Sequence, residues 1–172
     1  GGLILYPTDT IWGIGCDATN EQAVKKIYDL KKRNETKSLI VLIDESSKLN
    51  KYIREVPAAA WDLVELSDTP LTIVYPGAAG LAKNLIAQDG SIAIRLVNDQ
   101  FCKQLIYKFG KPIVSTSANI SGETYPESFS DIASEILKGV DYMVNLRRNE
   151  RMNATPSPII KIETNGEFRI IR

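Results

Sequence analysis

Histidine is absent from this chain. That excludes a serine–histidine–aspartate triad, a cysteine–histidine dyad and any zinc site built on imidazole. Whatever chemistry the protein performs must use lysine, arginine, carboxylates, hydroxyls, backbone amides or a cation brought with the substrate. Cysteine is scarce: Cys16 and Cys102 are the only two, without metal-ligand spacing. They read as buried or bystander thiols in a reducing compartment. Net charge is lacking too, with 21 basic residues against 21 acidic ones. This argues against a surface that tracks nucleic acid all round, although a local basic groove survives such a count. No apolar run is long enough to span a bilayer and no signal-peptide pattern opens the chain. The expectation is a cytoplasmic protein that makes no membrane contact.

What remains is ordinary globular composition, 44% apolar and 24% charged over 172 residues, enough for one self-sufficient core. Leu3 to Tyr6, ended by Pro7, reads as a buried strand. Thr19-Asn20-Glu21-Gln22 reads as a capping box, and Ala23, Val24, Ile27 and Leu30 continue it as a helix from about Asn20 to Lys32. Further strands are expected at Leu39–Ile43, Leu71–Tyr75, Ser91–Leu96 and Pro112–Ser115. Further helices are expected at Ser47–Arg54, Pro57–Leu66, Asp99–Phe109 (ended by Gly110) and Ser128–Leu137. Pro158–Ile162 and Phe168–Ile171 around Asn165-Gly166 form a hairpin signal. Strands alternating with helices, closed by a hairpin, predict a single α/β domain over residues 1–172 with a mixed rather than all-parallel sheet. The opening glycines run straight into a strand, so a chain trimmed at its N-terminus is one expectation.

Two distant segments look like halves of one anion site. Lys31-Lys32-Arg33, with Lys37 beyond, offers a planar fork and compact charges for phosphate or carboxylate oxygens. The plainer reading is a solvated basic helix end complementing the dipole. Ser115, Ser117 and Asn119 follow an apolar strand, where open α/β sheets place ligands, though an ordinary Ser/Asn turn has the same composition. Arg95 stands in a strand opposite Ile92 and Ile94. A buried charge there must meet either an internal carboxylate or an anionic ligand. Thr8 and Thr10 flank Asp9 after the first strand, as substrate contacts or as turn caps. There is no phosphate-binding Gly-x-x-x-x-Gly-Lys-Ser/Thr loop, and Gly13-Ile14-Gly15 lacks a matching third glycine, so the chain is neither a P-loop enzyme nor a Rossmann dehydrogenase.

Pro7-Thr8-Asp9-Thr10-Ile11-Trp12-Gly13, Lys31-x-Arg33, Ser117-x-Asn119 and Pro156-Ser157 occur in order across nearly the whole chain. Together they resemble the signature of the YrdC-like threonylcarbamoyl-AMP synthases. The resemblance implies a twisted mixed sheet with flanking helices around a basic cavity. It implies synthesis of L-threonylcarbamoyladenylate from L-threonine, bicarbonate and ATP with release of pyrophosphate, for N6-threonylcarbamoyladenosine in tRNA. By similarity, Lys31, Arg33, Lys37, Ser91, Ser115, Ser117, Asn119 and Arg172 would bind ATP. Thr8, Arg95, Ser117 and Ser157 would bind threonine, and Lys31 and Arg33 would be catalytic. Mg2+ would arrive with ATP rather than on protein ligands, and a separate threonylcarbamoyl-transferase complex would take the product. Ser38, Leu42 and Pro158 depart from the family pattern, and the expectation is a protein without the extra C-terminal domain of longer members. The rival readings are an RNA-binding module, with a weak tRNA contact through the same cavity, and a carbamoyl-adenylate-forming domain serving another acceptor.

Overall fold

The computed structural model describes residues 1–36, 38–152 and 155–172. Nine strands among these residues form one mixed sheet: β1 (Ile4–Tyr6), β2 (Gly13–Gly15), β3 (Ile40–Ile43), β4 (Thr72–Tyr75), β5 (Ile92–Leu96), β6 (Ile113–Ser117), β7 (Tyr142–Met143), β8 (Ile159–Ile162) and β9 (Phe168–Ile170). Their spatial order is β7-β1-β2-β6-β3-β5-β4-β8-β9. The pairs β1–β7, β3–β5 and β4–β8 are parallel, and the other neighbours are antiparallel. The α-helices are α1 (Glu21–Leu30), α2 (Leu49–Tyr52), α3 (Ala58–Leu66), α4 (Gln100–Phe109) and α5 (Ser134–Gly139).

Side chains alternate across a strand, so each central strand feeds two faces. Leu5, Val41, Ile43, Ile92, Ile94 and Val114 enter a large core on one face. Tyr6, Leu42 and Ile113 enter a smaller core on the other, with Val97 and with Cys102 and Ile106 of α4. Arg95 pairs in register with Leu42 and with Thr72, which puts it on this second face. Helix α4 therefore covers only part of that face. The part of the face that carries Arg95, and the row of Ile40 and Ser115 with Ser117 beyond it, are left beside it.

Several local expectations need correction. The cap of α1 is Asn20, whose side chain accepts from the Ala23 amide at 3.0 Å. Thr19 cannot serve, because its hydroxyl donates to Asp17 at 2.6 Å. Pro57 caps α3 rather than opening it, and Asp99 caps α4, which ends on Gly110 at φ 74°. The helix expected over Ser47–Arg54 shrinks to a 3-10 turn and α2, since Ile53 is extended and bridges Ala78. The helix expected from Ser128 is interrupted: the Ser128 amide and hydroxyl both bond the Asp131 carboxylate, closing a local turn before α5. The β6 strand runs to Ser117, two residues further than expected.

The β2 strand was not visible in the sequence because glycines flank its one apolar residue. Gly15 is nonetheless required. A β-carbon there would lie 2.6 Å from the Val114 carbonyl and 2.8 Å from the Tyr6 ring. Gly15→Ala is expected to destabilise the protein by about 1–3 kcal/mol, the usual cost of overpacking, read as a lower urea midpoint at unchanged m-value.

Candidate functional site

The uncovered part of the second face opens into a cleft of ≈ 460 Å³. That falls within the range of small-molecule sites, about 300–1,000 Å³. Its wall joins six stretches remote in sequence: the loop from β1 into β2, the segment from the end of α1 into β3, Arg95 of β5, the end of β6 with the turn after it, the chain entering β8, and Arg172 after β9. Of the residues singled out from sequence, Thr8, Arg33, Arg95, Ser115, Ser117, Asn119, Ser157 and Arg172 line it. Three arginines and Glu123 are its charged lining.

Arg95 is the most deeply buried of these charges, 4% exposed. Its Nη2 stands 3.1 Å from Asp9 Oδ1, an ion pair that lacks hydrogen-bond alignment. Its Nη1 donates to the Thr10 hydroxyl at 3.2 Å. Its Nε has no hydrogen-bond partner among the described residues. The hydroxyls beyond it have a defined direction. Thr8 Oγ1 donates to the Ile11 carbonyl at 2.7 Å, which can only accept, so its contact with Thr10 Oγ1 at 3.0 Å makes Thr10 the donor. Thr8 Oγ1 also accepts the amides of Thr10 and Ile11. The result is one chain of hydrogen bonds from guanidinium to backbone. Of the two alternatives open for Arg95 in the sequence, the structure supplies the internal carboxylate, Asp9, and it also sets the guanidinium on the cleft wall.

Lys31 and Arg33 part company at the end of α1. Lys32 takes φ 49°, and the chain turns after it. Arg33 reaches the cleft and donates to the Ser38 carbonyl at 2.9 Å. Lys31 is 1% exposed and is not among the cleft-lining residues. Its amine donates to the carbonyls of Ser117 and of Asn119, the latter at 2.5 Å, while its own carbonyl accepts from the Ser121 amide at 2.8 Å. It thus ties α1 to the polar end of β6. Burial, with a smaller contribution from Arg33, pulls its pKa down to about 7.

Asn119 turns both amide hydrogens to backbone carbonyls, Ile120 at 3.1 Å and Glu123 at 2.6 Å. Its Oδ1 is buried and has no partner among the described residues. Ser157 shares a 2.7 Å hydrogen bond with Thr72, and the Arg172 guanidinium donates to the Ser157 carbonyl at 3.0 Å. Ser91 stands apart from the cleft lining, its hydroxyl donating to Asp89 at 2.6 Å. Lys37 lies outside the described residues. Trp12 of the Pro7–Gly13 segment serves the core, edge-to-face with Phe129 at 5.2 Å. Glu123 and Tyr125 were missed in the sequence: their segment reads as a turn, and only folding carries it to the cleft rim. No cluster among the described residues gathers three or more His, Cys, Asp or Glu side chains able to hold a metal, and no helix among them is long and apolar enough to cross a membrane.

The Lys31 amine has a measurable consequence. Its pKa in the fold lies below the ordinary 10.5. Between about 7 and 10.5 the unfolded chain therefore holds the extra proton, so folding stability rises with pH across that window. Carbon-13 NMR of labelled lysine is expected to show a Cε resonance titrating near pH 7 that is absent from Lys31→Met.

The sequence and the fold both have known relatives. A family model described as "Telomere recombination", the Sua5/YciO/YrdC family, matches residues 1–172. A threonylcarbamoyl-AMP synthase of Pseudoalteromonas translucida is 36% identical over 148 residues, 84% of this chain and 79% of that protein. One from Idiomarina loihiensis is 29% identical over 171 residues, 98% of this chain and 91% of that protein. Among solved structures, P. abyssi Sua5 complexed with L-threonine superposes with a TM-score of 0.89 at 27% identity, over 99% of this chain. The chain spans half the length of that Sua5 protein. The chain belongs to the Sua5/YciO/YrdC family.

Proposed function

We propose that this protein makes L-threonylcarbamoyladenylate from L-threonine, bicarbonate and ATP, releasing pyrophosphate. The observation that carries the reading is the convergence of Arg33, Arg95 and Arg172 with Ser115, Ser117 and Asn119 on one cleft, in a chain of this family. Relatives bear the synthase name over most of their length, and the P. abyssi Sua5 structure has L-threonine bound.

In this reading the threonine amine condenses with bicarbonate, losing water, to give a carbamate. A carbamate oxygen then attacks the α-phosphorus, and the bond to the β-phosphate oxygen breaks to release pyrophosphate. Neither step needs a protein nucleophile. What it needs is alignment and compensation of anionic charge, which positioned cations and hydroxyls supply. Arg33 and Arg172 meet the nucleotide phosphates, and Mg2+ brought by ATP shares their charge. Ser115, Ser117 and Asn119 complete the nucleotide and carbamate contacts. Thr8, Arg95 and Ser157 hold threonine, with Arg95 toward its carboxylate. Lys31 contributes by holding the Ser117 and Asn119 carbonyls, and Lys37 adds a phosphate contact. The product serves N6-threonylcarbamoyladenosine formation in tRNA through a separate transferase in the cytoplasm.

The test is pyrophosphate release from ATP and bicarbonate, with and without L-threonine. The wild type should release it only with threonine. Losing a hydrogen bond to a charged group costs about 1.5–3 kcal/mol, so Arg33→Ala should lower kcat/KM for ATP about 10- to 150-fold. Arg95→Ala should do the same for threonine. Threonine-independent turnover, or none by a folded wild type, overturns the reading.

A further inference from the structure

Asp99 and Arg147 lie outside the cleft lining and outside every motif of the sequence, yet they bear on the loop that carries Thr8. The Asp99 side chain is 5% exposed. One of its oxygens accepts the Cys102 amide at 2.9 Å, capping α4, and the other takes Arg147 Nη2 at 2.7 Å. From these two partners, donors reach consecutive carbonyls of the loop. Arg147 Nη1 donates to the Thr8 carbonyl at 3.4 Å, and Cys102 Sγ donates to the Pro7 carbonyl at 3.7 Å. Burial and the Asp99 carboxylate push the Cys102 thiol pKa up, which keeps it protonated and able to donate. Arg147 also sits at φ 55°, a left-handed conformation that costs a non-glycine residue free energy. Glycine would take that backbone more easily, so packing alone gives no reason for arginine here. Its side chain does.

We infer that Arg147, anchored by Asp99, is a positioning residue for the Pro7–Thr10 loop and through it for Arg95. The two faces of the Thr8 residue complete the linkage. Its carbonyl is held from the α4 side, while its hydroxyl continues the hydrogen-bond chain through Thr10 to the Arg95 guanidinium. Releasing the carbonyl frees the Thr8 peptide to rotate, and the donors presented to a carboxylate shift with it. The substrate affected is the amino acid and not the nucleotide, because Arg33 and the β6 end are held separately by Ser38 and Lys31. This inference rests on the functional reading above.

The experiment compares wild type, Arg147→Gly and Asp99→Asn. The asparagine keeps an acceptor for the Cys102 amide but cannot pair with the guanidinium. For each protein, L-threonine affinity is measured by calorimetry, KM for ATP and for threonine by pyrophosphate release, and amide exchange by NMR. Small misplacements of a binding group cost up to about 100-fold, and an indirect one here is expected to weaken threonine about tenfold in both variants. KM for ATP should stay within about twofold, and the melting temperature of Arg147→Gly within about 3 °C of wild type, a shift of order 1 kcal/mol or less. The Thr10 and Ile11 amides, which donate to Thr8 Oγ1, should exchange faster. Unchanged threonine affinity in both variants overturns the inference, as does an equal loss toward ATP and threonine with a large drop in melting temperature. A folded wild type that neither binds nor uses L-threonine brings down the functional reading, and this inference with it.

Discussion

A guanidinium buried in the middle of a sheet face is the constraint around which this cleft is organised. Stripping a charge of water costs several kcal/mol unless other groups take over its solvation. Arg95 gets a carboxylate from Asp9 and a hydroxyl from Thr10, both from the loop that leaves β1. That loop must then hold one conformation, and the Thr8 hydroxyl enforces it by meeting two amides, one carbonyl and one hydroxyl. The same bonds that neutralise the charge leave a rigid polar wall facing the cleft.

The sheet explains why such a wall can exist inside a well-packed domain. With the two-residue period of a strand, β3, β5 and β6 give one set of side chains to the large core. Their alternate residues face the other side, where α4 buries only the part bearing Tyr6, Leu42 and Ile113. Polar residues beyond the helix carry no burial penalty so long as they keep partners, and most do. The exceptions are informative: Asn119 Oδ1 and Arg95 Nε are buried polar atoms on cleft residues without partners among the described residues. Unmet hydrogen-bonding capacity costs stability, and a ligand in the cleft could satisfy these two atoms.

Elements with a strong local signal were readable in the sequence. Amphipathic spacing marked α1, Gly110 marked the end of α4, and Asn165-Gly166 marked the final hairpin. The misreadings have two causes, a distant partner that overrides a helix and a nearby carboxylate that captures a hydroxyl, as Asp131 does at Ser128. Ile53 leaves its helix to bridge Ala78, and Thr19 gives its hydroxyl to Asp17 instead of capping α1. Gly13-Ile14-Gly15 has no strand propensity of its own and becomes a strand because β1 and β6 pair on either side of it. Within the candidate site, residue types were legible but their orientations were not. Lys31 and Arg33 are two positions apart, and nothing in a tripeptide tells which turns to backbone carbonyls and which to the cleft.

What the sequence by itself determined is chemical. Without histidine it ruled out imidazole catalysis, and its spaced hydroxyls and cations named the side chains available for an anionic substrate. Its periodicity also determined which strands are buried and that one of them carries a lone charge. Tertiary structure alone decided how those groups meet. It paired Arg95 with Asp9, consumed the Lys31 amine on the end of β6, brought Glu123 and Tyr125 to the rim, and set Asp99 and Arg147 behind the Thr8 loop. The reason is physical: periodicity and propensity act over a turn or a strand, whereas desolvated charges and carbonyls are satisfied by whatever donor the packed chain delivers, however distant in sequence.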